Sequence, residues 1–159
     1  AVDAAGNAYV TGRTTSTDFP TTPGAFKTTR ANSPDAFVAK FGNEVAIDIK
    51  PGSFPNSINL KEKGVLPVAI LTDSNFDARS VTFAELGDPR LSGKLVFLRS
   101  SEQDVDGDGD IDLMLHFRVP DLVARGAIDA SSTALRLTGT TFDGRQIEGR
   151  DSVRIVPPR

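Results

Sequence analysis

The chain has 159 residues, a formal net charge of −3 at pH 7 and a pI of about 5.1. That length accommodates one domain, or one domain with an appendage, and no basic stripe is present for a nucleic acid to follow. Cysteine is absent, which removes disulfides and any Cys–His nucleophile, and no apolar run approaches the length of a membrane span, which argues against membrane insertion.

Residues 1–42 read as one segment. A turn at Asp3-Ala4-Ala5-Gly6-Asn7 precedes a short strand at Ala8-Tyr9-Val10-Thr11-Gly12. A Thr-, Ser- and Pro-rich loop follows. Asp35–Phe41 then alternates, with Phe37, Ala39 and Phe41 on one face and Ala36, Val38 and Lys40 on the other. These residues carry a resemblance. Asp3, Gly6-Asn7, Tyr9-Val10-Thr11-Gly12, Ser16, Asp18-Phe19-Pro20 and Asp35-Ala36-Phe37-Val38 together resemble one unit of the bacterial β-propeller (SBBP) repeat. Such a unit buries its faces against neighbouring units, and one copy does not make a core. The resemblance therefore implies a partner surface, in this chain or in another. The chain also starts without methionine, in mid-pattern, which points to a mature or truncated piece of a longer protein.

Residues 43–159 read as a second, all-β unit. In Val45–Lys50, Ile47 and Ile49 alternate with Asp48 and Lys50, and Pro51-Gly52 ends the run. Ser57–Leu60 is short. Val65–Thr72 is almost continuously apolar, which predicts a central strand buried on both faces, with Pro67 near its start. Short strands are expected at Val81–Phe83, Leu95–Leu98, Asp112–Val119, Leu135–Leu137 and Val153–Val156. Asp143-Gly144 marks a hairpin turn, and Asp121–Ala127 a helical turn ended by Gly126. Strands this short and this closely spaced predict an antiparallel β-sandwich.

The chemistry is concentrated in Asp104–Asp112, DVDGDGDID. Aspartate occupies every second position, Gly107 and Gly109 lie between, and no Lys or Arg lies inside. Like charges this dense repel unless a cation sits among them, and oxygen ligands on a glycine-bent loop suit Ca²⁺. With Asp104 as position one, side-chain oxygens fall at positions one, three, five and nine (Asp104, Asp106, Asp108, Asp112). Gly109 takes position six, and Asp110 at seven would offer its carbonyl. Leu115 stands where an EF-hand needs its bidentate glutamate. Leu113, Leu115 and Phe117 alternate with Asp112, Met114 and His116, so a strand follows the loop and not a helix. The loop is similar to the DxDGDG loops of integrin-type propeller repeats, dockerins and thrombospondin repeats. The alternative is a solvated acidic turn.

Other constellations carry less. His116 is the only histidine, placed on the strand face opposite Leu115 and Phe117; a metal ligand or general base is the sharp reading, a sheet-face residue the plain one. Neither G-x-S-x-G nor H-E-x-x-H occurs, and a glycosidase pair built on Glu102 and a loop aspartate would use carboxylates that calcium keeps charged. Asp73-Ser74-Asn75-Phe76-Asp77 repeats the spacing with Ala78 in the glycine position, which fits an Asx turn as well as a second metal. Asn56 and Asn59 could bind sugar hydroxyls or satisfy loop carbonyls. Tryptophan is absent, and Phe19, Phe26, Phe54 and Phe76 form no aligned platform.

Most of residues 45–156 resembles a module found near the C-termini of large secreted bacterial and archaeal proteins. AIDIKPGSFPNSINLKEKGVLPVAIL, DVDGDGDIDLMLHF and LTGTTFDGRQIEGRDSVRIV carry the likeness. There it accompanies propeller repeats, adhesion domains and polysaccharide-active domains. The resemblance implies a secreted or cell-surface accessory role and the calcium loop. The expectation is a non-enzymatic, calcium-stabilised structural or adhesion module, with self-assembly or an extracellular protein partner by strand addition. The alternative is a carbohydrate-binding module with a polysaccharide partner.

Overall fold

The structure, a computed structural model, describes residues 1–2, 8–21 and 34–157. The turn expected at residues 3–7 and Phe26 lie outside them. The chain divides into two compact units, Ala1–Asn43 and Glu44–Arg159.

The first unit is an antiparallel pair, β1 (Ala8–Thr14) with β2 (Asp35–Phe41), in a register that sets Gly12 opposite Phe37. The pairing of Arg13 and Thr14 extends β1 beyond the apolar run that marks it in the sequence. The Phe37 ring lies over its glycine partner, where a Cβ would come within 2.7 Å of Phe37 Cε1. Phe19 packs on the same ring, with centroids 4.8 Å apart. Residues 1–2, 8–21, 34–39, 42 and 43 of this unit are all exposed or half-buried.

The second unit is a sandwich of two four-stranded sheets. Its strands are β3 (Ile47–Ile49), β4 (Ser57–Asn59), β5 (Val65–Ile70), β6 (Val81–Gly87), β7 (Leu95–Val96), β8 (Arg99–Gln103), β9 (Asp112–Arg118), β10 (Ala134–Thr141), β11 (Gln146–Ser152) and β12 (Arg154–Val156). One sheet runs β11-β10-β6-β7 and the other β3-β5-β9-β8. β12 and β4 form a separate parallel pair, the one departure from antiparallel order among the named strands. The all-β expectation holds.

Alternation builds the core. Ile49, Val68 and Leu115 lie in one cross-strand row of the second sheet, with Ile70 and Leu113, and Leu66 and Phe117, in the flanking rows. Leu86 and Leu137 are paired in the first sheet, and all these side chains join a single apolar cluster. Helix α1 (Val119–Ala124) has Pro120 in its first turn and adds Val119 and Leu122 to the core; Gly126, at φ 64°, ends its chain direction. Close packing restricts side-chain size between the sheets: a Cβ on Gly149 would meet Ile47 Cγ2 at 2.5 Å.

The chain changes sheet at both sides. Val45 donates to the Glu148 carbonyl at 2.8 Å before β3 enters the other sheet. Opposite, β7 and β8 belong to different sheets although only Phe97 and Leu98 separate them. Crossing strands of this kind shorten the exposed sheet edges.

Pro67 is third in β5, near its start as the sequence implies. Its missing N–H costs nothing because its neighbour has already turned away. Lys50 donates to the Pro67 carbonyl at 2.8 Å, but the Lys50 carbonyl accepts from Ser53 at 3.1 Å. Lys50 itself sits at φ 63° as the chain turns.

A clasp that the sequence reading did not identify joins two loops. Asp88 is 2 % exposed. Its Oδ1 accepts from Arg90 N at 2.8 Å and Nε at 3.0 Å, and its Oδ2 accepts from Nη2 at 2.6 Å. Arg90 also donates to the Ser131 carbonyl at 2.7 Å, and Asp88 N to the Ala127 carbonyl at 2.7 Å. The Arg90 hydrogen bonds hold the Asp88 carboxyl far below the usual range. A depressed carboxyl pKa stabilises above the unfolded value, about 3.9, and the gain fades as pH falls through the folded value. Asp88→Asn is expected to cost about 2 kcal/mol at neutral pH and to flatten the acid limb of a urea-denaturation series.

Candidate metal centre

The acidic stretch is the loop of the β8–β9 hairpin. Gln103 and Asp112 form the last pair of the ladder, and residues 104–111 bridge them. Gly107 and Gly109 adopt φ 83° and 98°, a left-handed backbone that residues with a Cβ rarely take. These two glycines let the chain curl back over its own carboxylates.

The curl brings Asp104, Asp106 and Asp108 together. Each offers a carboxylate oxygen, and the three oxygens lie within 4.8 Å of one another. Oxygens on a shell of radius about 2.4 Å around Ca²⁺ are at most about 4.8 Å apart. The spacing therefore fits the ion, and the donor set is all oxygen. Backbone amides set the carboxylates in place. Asp104 accepts from Gly107 N at 2.7 Å and Gly109 N at 3.2 Å, Asp106 from Asp108 N at 3.2 Å, and Asp108 from Asp110 N at 2.8 Å. Repulsion between the charges is felt at Asp106. The Asp108 amide draws its pKa down, but desolvation and the charges of Asp108, Asp112 and Asp104 together outweigh that bond and leave it raised.

The side chains of the other two aspartates are not part of this group of three. Asp110 is exposed. Asp112 is 0 % exposed, and each of its oxygens holds a backbone amide: Oδ1 accepts from Thr72 N at 2.8 Å and Oδ2 from Val105 N at 2.8 Å. Thr72 Oγ1 donates to the Ile111 carbonyl at 2.6 Å and accepts from Ala78 N at 3.1 Å. Asp112 thus ties the loop to the segment after β5, while the three exposed carboxylates form the open part of the site.

Asp73–Asp77 is a turn. Asn75 N donates to Asp73 Oδ1 at 2.6 Å, and Asp73 and Phe76 exchange backbone bonds. Asp77 caps the short 3-10 helix Ala78–Ser80 by accepting from Arg79 N at 2.9 Å, and it pairs with the Arg79 guanidinium at 2.9 Å. Arg79 is held above its ordinary pKa first by Asp77, with smaller contributions from Glu102 and Asp110, so one cation stands within electrostatic reach of the acidic loop. Asn56 spends its amide hydrogens on Asp151 and the Ser152 carbonyl, which is the loop-satisfying role.

His116 lies on the outer sheet face, between Pro67 and Arg99 in the cross-strand row. Its Nδ1 is buried without a hydrogen-bond partner. Burial, and then the Arg99 charge, lower its pKa. A histidine lowered on folding costs stability as pH falls: both states are neutral above the unfolded value of about 6.5, and below it the unfolded state takes the proton first. The loss of Tm between about pH 7.5 and pH 5.5 is expected to be smaller in His116→Gln than in the parent chain.

Comparison with known families bears on the first unit. A family model for the beta-propeller repeat, SBBP, matches residues 1–20. The matched stretch includes all of β1 and ends at Pro20, one residue after the ring that packs on Phe37. No curated protein matches the chain. No helix among the described residues is long and apolar enough to cross a membrane.

Proposed function

We propose that the second unit is a calcium-stabilised structural or adhesion module of a secreted or surface protein, without enzymatic activity. The observation that carries this reading is the gathering of Asp104, Asp106 and Asp108 oxygens within 4.8 Å on one glycine-bent loop. Bound calcium would offset the repulsion of these carboxylates and fix the β8–β9 connection. Because the unfolded chain lacks the site, binding free energy becomes folding free energy. The strand that follows gives the ion a stapling role and no helix pair to open.

Thermal unfolding with calcium and with EDTA tests this. At a calcium concentration one hundred times Kd the stabilisation is about 2.7 kcal/mol, read as a rise in Tm that EDTA reverses. An identical transition in both buffers overturns the reading.

The β1–β2 pair supports an assembly role. A lone two-stranded pair is marginally stable in water, and its match to a repeat family implies that it packs on further strands. Within this proposal the pair joins a sheet edge of another extracellular chain or a second copy. Light scattering across a concentration series is expected to show self-association; a strict monomer throughout argues against the second copy.

A further inference from the structure

A shallow cavity of about 450 Å³ opens beside β3, and its lining includes Ile47, Asp48, Ser53, Phe54, Asn56 and Asp151. Its hydrogen-bonding capacity is one-sided. Asn56 has both amide hydrogens engaged, at 2.9 Å to Asp151 Oδ2 and 3.0 Å to the Ser152 carbonyl. Ser53 Oγ donates to the Pro55 carbonyl at 3.4 Å. Asp151 is also filled, accepting from Ile49 N at 2.9 Å and Ser152 N at 2.6 Å. The adjacent Lys50 donates its ammonium to the Ser57 carbonyl at 2.7 Å and forms no ion pair with Asp48 or Asp151.

Asp48 is left over. It is half-buried, and no hydrogen bond or ion pair reaches its side chain from the described residues. Burial, and then the charge of Asp151, raise its pKa, so the cavity favours a positive charge beside it. Phe54 stands at the rim, 93 % exposed. The cavity therefore presents negative charge and an aromatic ring but no unused side-chain donor. A sugar hydroxyl seeks donors as well as acceptors. An organic cation needs only acceptors and the face of a ring.

We propose that this cavity receives the guanidinium or ammonium group of a basic side chain from a partner polypeptide, with Asp48 as its charge partner and Phe54 against its stem. A flexible apolar stem suits a cavity lined by the half-buried Asp48 together with Ile47 and the exposed Phe54. An amino sugar carries its ammonium directly on a bulky ring and lacks such a stem. The site is separate from the acidic loop and its occupancy does not depend on calcium.

The test is an NMR titration of the full chain with N-acetyl-arginine methylamide and N-acetyl-lysine methylamide. The uncharged N-acetyl-citrulline methylamide, glucosamine oligomers and calcium chloride are titrated separately. The expected result is millimolar binding of the two cationic amides, with shifts at Asp48, Phe54 and Asp151 and none from citrulline. Asp48→Asn is expected to weaken binding roughly tenfold and Phe54→Ala several-fold. Both variants should keep the parent's dispersed spectrum, since one lacks partners and the other is exposed. Equal binding of citrulline, shifts at Asp48, Phe54 and Asp151 caused by glucosamine oligomers or by calcium, or no response to either cationic amide at about 50 mM overturns the proposal; calcium shifts confined to the acidic loop do not bear on it.

Discussion

Asp112→Ala is expected to lower the unfolding free energy by about 3 kcal/mol, or on the order of 10 °C in Tm for a unit of this size. The cause is specific. The Thr72 and Val105 amides both lose their acceptor, and the Asp112 carboxylate that served them is fully buried. A half-satisfied buried donor costs more than its hydrogen bond contributed. The loss persists in EDTA, because those bonds are to backbone and not to a metal. Asp110→Ala, two residues away and exposed, changes stability by less than about 0.5 kcal/mol in the same buffer. Asp106→Ala in EDTA is neutral or stabilising, since it removes a carboxylate whose charged form is disfavoured by desolvation and by the charges of Asp108, Asp112 and Asp104. Urea denaturation of the three variants in chelator separates anchor from ligand. Equal losses at Asp106 and Asp112 would contradict the division of roles.

Phe117→Ala is expected to cost about 3–5 kcal/mol. Phe117 is 0 % exposed and is among the largest fully buried side chains, on a strand paired on both sides. Truncation removes apolar burial and leaves a cavity between the sheets. Leu98→Ala, 60 % exposed where the chain crosses between sheets, is the control and should cost under about 1 kcal/mol. Chemical denaturation measures both. A Phe117→Ala cost below about 1 kcal/mol would mean that the two sheets do not share the core described above.

Much of this was legible in the sequence, and the rest failed for physical reasons. The apolar alternation of Leu113, Leu115 and Phe117 marks β9 correctly, and the Asp143-Gly144 pair marks the turn between β10 and β11, with Gly144 at φ 85°. β8 reads Arg-Ser-Ser-Glu-Gln and is exposed at every position. It has no apolar face, and its strand conformation comes from pairing with β9. β6 extends four residues past Phe83 because its ladder with β10 continues to Gly87, which a local pattern of apolar residues does not reveal. β11, QIEGRDS, was hidden by its glycine and charges, although Ile147 and Gly149 face inward.

The acidic loop shows the same limit. The spacing assigns side-chain oxygens to Asp104, Asp106, Asp108 and Asp112 alike, yet the carboxylates that gather are those of Asp104, Asp106 and Asp108. Asp112 differs because it begins β9 and is enclosed by long-range backbone partners, which spacing alone cannot show. The Asp88 clasp did have a local signal. Asp77–Arg79 and Asp88–Arg90 share the spacing Asp-x-Arg, and in both the arginine amide and Nε reach the same carboxylate oxygen. Asp151 had none: its partners Ile49 and Asn56 lie 102 and 95 residues away.

The central claim is that Asp104, Asp106 and Asp108 hold calcium. Calorimetric titration of calcium into the chelator-stripped chain, beside Asp104→Asn and Asp106→Asn, tests it most directly. The account predicts one ion per chain with a Kd on the order of 10⁻⁴–10⁻³ M, lost in both variants and kept in Asp110→Ala. No binding to the parent chain at about 10 mM calcium, or binding that survives both substitutions, would contradict it.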